Sequence, residues 1–283
     1  MYQPQNTLGC LVLGVALALP AGATSKVQQH YLSNGEVTIA YSIRGSGPLV
    51  LLLASTGRAS EELAPVAERL VARGYRVALP EPRGIGGSQG PLVNLSFHDF
   101  AADFQRVIRA EGGPAIVAGH AYGQWIAKTL AADYPADVRG IVLLAGGARQ
   151  WPQALSDAVT ALNDPASPRE VRLAALRLAF FAPGNDPSAW LTGWYPDVMQ
   201  SQRQARERTT KASYWSGGTA PILDLQAGAD PFRPEASRQE AREEFGERVT
   251  VRVIARASHA LPAEKPTETA DAIADWADTL PPS

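Results

Sequence analysis

The chain has almost no cysteine. One residue in 283, Cys10, carries a thiol, so no disulfide can staple the fold. A basic excess is missing too: Lys+Arg number 26 against 28 Asp+Glu, for a net charge of -2. A surface that neutralises phosphates needs positive surplus, so nucleic acid is not an expected partner. No run approaches the roughly 18 consecutive apolar residues of a membrane span. The four histidines (His30, His98, His120 and His259) are scattered without metal-ligand spacing, and no Gly-Lys-Ser/Thr follows the glycines at 84–87. Neither a metal nor an organic cofactor is expected. What is present is 45% hydrophobic residues at low net charge. That composition builds a large buried core and excludes disorder.

Residues 8–19 (LGCLVLGVALAL) form a twelve-residue apolar run, followed by Pro20 and the small residues Ala21-Gly22-Ala23. The run is too short to cross a bilayer but has the length of a signal-peptide core. Met1 to Thr7 contains no Lys or Arg, which departs from the usual basic start. The expectation is an export signal at residues 1–23, cleaved after Ala23. The protein would then be periplasmic or secreted and free of cysteine, which suits an oxidising compartment.

Short apolar or alternating runs at 37–43, 49–54, 75–79, 115–118, 138–144, 222–226 and 249–254 predict strands. Helical spacing predicts helices at 61–73, 97–110, 124–133, 232–244 and 267–280. Strands alternating with helices imply an α/β fold with a mostly parallel sheet, covered on both faces. Residues 148–218 break the rhythm. They contain one good helix near 168–181 and four of the six tryptophans, Trp151, Trp190, Trp194 and Trp215. The expected division is a core of 24–147 and 219–283 with a helical lid at 148–218. Trp190, Trp194 and Trp215 are candidates for lining a pocket beneath the lid.

The stretch Ile116-Val-Ala-Gly119-His120-Ala121-Tyr122-Gly123 runs from a strand through small-x-x-x-small into a helix. That is the spacing of a nucleophile elbow, where the backbone doubles back and small flanks are required. Three further stretches accompany it in order: Glu81-Pro-Arg83-Gly-Ile-Gly-Gly-Ser88, Pro221-Ile-Leu-Asp-Leu-Gln-Ala-Gly-Ala-Asp230, and Ser258-His259 before the last helix. Together these motifs resemble the α/β-hydrolase superfamily over about residues 30–280. They are also similar to a bacterial subgroup that places alanine at the elbow centre. The resemblance implies a sheet-based hydrolase fold with Asp230 orienting His259 as base. It also implies backbone N–H groups of Thr56 and Tyr122 as oxyanion donors, with Arg83 tying loops together. Ser55 and Arg58 lie in the loop that implies a substrate pocket. Arg58 reads either as a ligand for an anionic group or as a solvated loop residue, and Asp230 equally suits a cap for the helix near Phe232. Asp224 is a rival acid set inside a strand, and His120 is expected to pack behind the turn.

The departure from the family is Ala121, which has no oxygen and closes the acyl-enzyme route. Three accounts stay open: an engineered alanine, direct chemistry by the Asp230–His259 dyad, or a binding protein that has lost catalysis. Direct chemistry means water activated against a small apolar ester, lactone or related carbonyl compound, or proton abstraction in a lyase or isomerase. Each implies a small-molecule substrate or ligand. The sequence carries no signal for oligomeric state.

Overall fold

The computed structural model describes residues 27–281. The expected export signal, its cysteine and its cleavage site lie outside the described residues. Strands β1 (Gln28–Asn34), β2 (Val37–Gly45) and β3 (Leu49–Leu53) lead into helix α1 (Ala64–Ala72) and β4 (Arg76–Pro80). Next come α2 (Phe97–Ala110), β5 (Ala115–His120), α3 (Gly123–Asp133) and β6 (Val138–Leu144). Four helices follow without a strand: α4 (Gln153–Asn163), α5 (Arg169–Ala179), α6 (Pro196–Arg208) and α7 (Lys211–Tyr214). The chain then returns through β7 (Ile222–Ala227), α8 (Glu240–Phe245), β8 (Val249–Ile254), α9 (Leu261–Glu264) and α10 (Pro266–Ala277).

The eight strands form one sheet in the order β1-β2-β4-β3-β5-β6-β7-β8. β1–β2 and β2–β4 pair antiparallel, and every later pair is parallel. Alternation along the central strands divides the core. Leu51, Leu53, Val117 and Ile141 meet α2 and α3, while Val50, Leu52, Ile116 and Val142 meet α1 and α10. Burial on both faces explains why these strands read as continuous apolar runs.

Two expectations are corrected. β1 was not foreseen, because its residues are mostly exposed and carry no apolar alternation. Its pairing is set by the turn at Gly35-Glu36, where Gly35 takes φ +60. The helix expected at 232–244 forms only over α8, preceded by a short 3-10 turn at Glu235–Ser237. Pro234 lacks the N–H that a continuous helix would need.

One polar cluster lies beneath the α3 side of the sheet. Asp224 and Gln226 of β7 are fully buried; Asp224 Oδ2 accepts from Arg233 Nη2 at 2.7 Å and from Gln226 Nε2 at 2.8 Å. Asp224 is thus engaged as a structural carboxylate, and burial pushes its carboxyl upward. Lys128 of α3 is buried nearby, with Nζ 3.9 Å from the centre of the Trp215 ring. Burial pulls the Lys128 amine down from 10.5 to about 7, despite the opposing charge of Asp224.

This lysine makes a signed prediction. Between about pH 7 and pH 10.5 the unfolded state keeps the Lys128 proton and the folded state does not. Stability therefore rises with pH across that window. Lys128→Met removes the titration. Its stability advantage over wild type in urea should be largest near pH 7, on the order of a few kcal/mol, and shrink toward pH 10. A difference that does not vary with pH contradicts the assignment.

Candidate active site

The site is built at the carboxyl ends of the parallel strands. β5 ends at His120, Ala121 takes φ +47, and α3 begins two residues later. The turn demands its glycines. A Cβ on Gly119 would overlap the Gly123 carbonyl group, and one on Gly123 would lie 2.6 Å from the Leu53 carbonyl oxygen. The Ala121 N–H donates to the Leu144 carbonyl at 2.9 Å, which fixes the elbow to β6. Ala121 and Thr56 are half-buried, while Ser55, His120, Tyr122 and His259 around them are buried.

The loop after β8 carries His259. Its Nδ1 lies 2.9 Å from Asp230 Oδ2, and the acceptor-only carboxylate assigns the proton to Nδ1. Asp230 Oδ1 also accepts the Phe232 N–H at 2.9 Å. The two readings of Asp230, orienting acid and local cap, therefore coexist on its two oxygens. Phe232 and Phe180 pack on the His259 ring at centroid distances of 4.3 and 5.4 Å. Among the described residues, His259 Nε2 has no hydrogen-bond partner.

The loop after β3 supplies the other wall. Neither the Thr56 nor the Tyr122 N–H meets an acceptor among the described residues. The Tyr122 N–H stands at the start of α3, where helix N–H groups are free and the dipole favours negative charge. The Tyr122 side chain turns away and donates to the Gln202 carbonyl at 3.2 Å. Burial pushes its phenol well up. The Ser55 N–H is not available, because it donates to Glu62 Oε1 at 2.7 Å.

Arg58 is buried, not solvated. Its Nε donates to Glu62 at 3.2 Å and its Nη1 to the Thr192 carbonyl at 2.7 Å. Its guanidinium lies 4.5 and 4.7 Å from the ring centres of Trp190 and Trp194. Trp190 and Trp194 also contact Phe180, which places them in the same aromatic group as His259. Trp215 does not join them. It packs on Lys128, Lys211 and Phe245 and donates to Glu244, away from the elbow. Arg83 forms a buried two-pronged pair with Asp103 of α2, at 2.7 and 3.1 Å.

Sequence reasoning assigned no role to three residues. Glu62 joins Ser55, Arg58 and His120. Gln202 of α6 accepts the Gly57 N–H at 2.7 Å and the Thr56 hydroxyl at 3.0 Å. Glu264 accepts from the Ala182 N–H at 2.7 Å and from the Ser258 N–H, linking α5's end to the histidine loop. All three are polar side chains on regular elements, and only tertiary contact distinguishes them from solvent-facing neighbours. A second His–Asp pair, His98 with Asp133 at 2.7 Å, reaches Ser213 Oγ at 3.0 Å. That hydroxyl donates to the Thr210 carbonyl at 2.8 Å, so the group reads as a tether for α7.

The elbow makes a stability prediction. Gly119→Ala should cost more than ~3 kcal/mol or prevent folding, because backbone rather than a flexible side chain blocks the new methyl. Gly35→Ala, at an open turn, should cost only about 1 kcal/mol. Equal urea midpoints for the two variants would contradict this packing.

Comparison with known proteins accords with the geometry. Residues 49–272 match the Alpha/beta hydrolase family. RutD of Azorhizobium caulinodans, named as a carbamate hydrolase, is 36% identical over 120 residues. That match spans 42% of this chain and 45% of the relative, so the chain covers under half of that protein's length. The 2-(acetamidomethylene)succinate hydrolase of Mesorhizobium japonicum is 28% identical over 216 residues, 75% of this chain and 73% of that protein. An esterase from Thermogutta terrifontis superposes with a TM-score of 0.72 at 21% identity, covering 89% of this chain and 98% of that one. The elbow between β5 and α3, the eight-stranded sheet and the family match over residues 49–272 establish that the chain belongs to the α/β hydrolase family.

Proposed function

We propose that the protein is a hydrolase of a small, fairly apolar ester, lactone or related carbonyl compound, working with a His–Asp dyad and no nucleophilic serine. The observation that carries this reading is the buried 2.9 Å contact of His259 Nδ1 with Asp230, beside an elbow whose central residue is Ala121. Relatives named as hydrolases support the general reaction type. The aromatic group around His259 supports an apolar substrate.

In this mechanism the substrate carbonyl oxygen lies between the Thr56 and Tyr122 N–H groups. His259 Nε2 takes a proton from a water held where a serine hydroxyl would otherwise stand. Asp230 keeps the ring in the required tautomer and stabilises the imidazolium that forms. The hydroxide adds to the carbonyl carbon, and the two N–H groups receive the developing oxyanion. The imidazolium returns its proton to the leaving oxygen as the tetrahedral intermediate collapses. Acid and alcohol are released, and no bond to the protein is made. The helices between β6 and β7 act as the lid that keeps bulk water out. Export directed by residues 1–23 belongs to the same proposal and places the reaction outside the cytoplasm.

The test is hydrolysis of a panel of short p-nitrophenyl esters and lactones by wild type, His259→Ala and Ala121→Ser. Wild type should turn over at least one compound, and His259→Ala should lose on the order of 10³-fold or more in kcat. Ala121→Ser should raise the rate, by supplying a nucleophile to a competent base. Activity unaffected by His259→Ala sinks the dyad. Wild type that is inert across the panel, yet melts at a higher temperature with a bound compound, points instead to a binding protein.

A further inference from the structure

Glu62 lies in the 3-10 turn Ser60–Leu63, and its side chain is 1% exposed. Oε1 accepts the Ser55 N–H at 2.7 Å and stands 3.0 Å from His120 Nδ1, while Oε2 accepts from Arg58 Nε at 3.2 Å. Burial alone would push this carboxyl up. The charge and hydrogen bond of His120, the Arg58 guanidinium and the Ser55 N–H together hold it below the ordinary carboxylate range. It is therefore an ionised group that only accepts.

The other nitrogen of the same ring, His120 Nε2, lies 2.8 Å from the main-chain carbonyl oxygen of His259. That oxygen also only accepts. A neutral imidazole has one N–H and one lone pair, so one of these contacts would set a lone pair against an oxygen. His120 is 0% exposed, so no bulk water relieves that repulsion. Protons on both nitrogens satisfy both contacts. The ionisable groups facing the ring are Glu62 from the 3-10 turn, Arg58 behind Glu62, and His259 with Asp230 behind it. Trp190, at a centroid distance of 6.2 Å, is uncharged.

We propose that His120 and Glu62 form a second, buried His–carboxylate dyad, with a proton on each His120 nitrogen, that positions His259 through its own main-chain carbonyl. This rests on the reading of His259 as the base. His120 is a positioning residue and touches no substrate, because both of its nitrogens are engaged. The pair also holds the Ser55 N–H, so one carboxylate ties the oxyanion loop, the elbow and the histidine loop into a single register. A charged N–H donor makes the link to His259 stronger than a neutral one would.

The experiment uses the full chain with ¹⁵N-labelled histidine. Long-range ¹H–¹⁵N spectra of wild type near neutral pH should show His120 with both nitrogens protonated. An unprotonated His120 nitrogen under those conditions overturns the proposal. In Glu62→Gln, the side-chain amide can donate to Nδ1, so His120 should convert to the neutral form with its proton on Nε2. A His120 that stays doubly protonated in this variant shows that Glu62 does not hold the proton, and contradicts the proposal. Kinetics test the positioning half. On any compound that wild type turns over through His259, Glu62→Gln should lower kcat by on the order of tenfold to a hundredfold with KM nearly unchanged. An unchanged kcat alongside the expected spectral switch contradicts positioning. If His259→Ala leaves activity intact, the parent reading fails instead, and the spectra still decide the proton.

Discussion

The tight turn between β5 and α3 is the constraint on which the rest of the site depends. The chain must reverse within a few residues at the top of the sheet, and two glycines meet backbone to backbone to allow it. Ala121 is held at φ +47, in a region that non-glycine residues seldom occupy. Such strain persists only where surrounding structure enforces it. Here the Ala121 N–H is tied to β6 and the following residue caps α3. The turn delivers a free N–H at Tyr122 and sets His120 behind it. Those contributions are backbone and spacing, so they need no side-chain oxygen at the centre.

Four buried carboxylates have basic partners. Asp230 meets His259, Glu62 meets Arg58 and His120, Asp103 meets Arg83, and Asp224 meets Arg233. A buried ion without a partner costs several kcal/mol, so such pairs tie distant segments into a fixed relation even where their net stabilisation is small. Arg58 binds the insertion to the loop after β3 through the Thr192 carbonyl and the two tryptophans. Glu264 binds it to the histidine loop, and Gln202 holds it over Gly57. The helices between β6 and β7 are thus fastened at three points to the loops that form the site.

Much of this was legible in the sequence. The central strands announced themselves because burial on both faces leaves continuous apolar runs. The elbow announced itself because only small residues fit its flanks. Asp230 and His259 are named by the resemblance of their two stretches to the family's motifs, and the fold brings the two side chains to 2.9 Å. β1 could not be named, because an exposed edge strand has no apolar face to read. Trp215 was misleading, since a tryptophan in a helical insertion looks the same whether it lines a pocket or packs on Lys128. Glu62 was hidden for a different reason. Its role depends on three partners separated from it by between 4 and 58 positions, and nothing in its neighbours along the chain marks it as buried.

The central claim is that carbonyl chemistry at this site proceeds without a bond to the protein. Intact mass measured on samples quenched during turnover of an ester tests it directly. Wild type should show only the unmodified mass at every time point, while Ala121→Ser should accumulate a species heavier by the acyl group. An acylated wild-type chain would contradict the account, because it would place a nucleophile somewhere other than position 121.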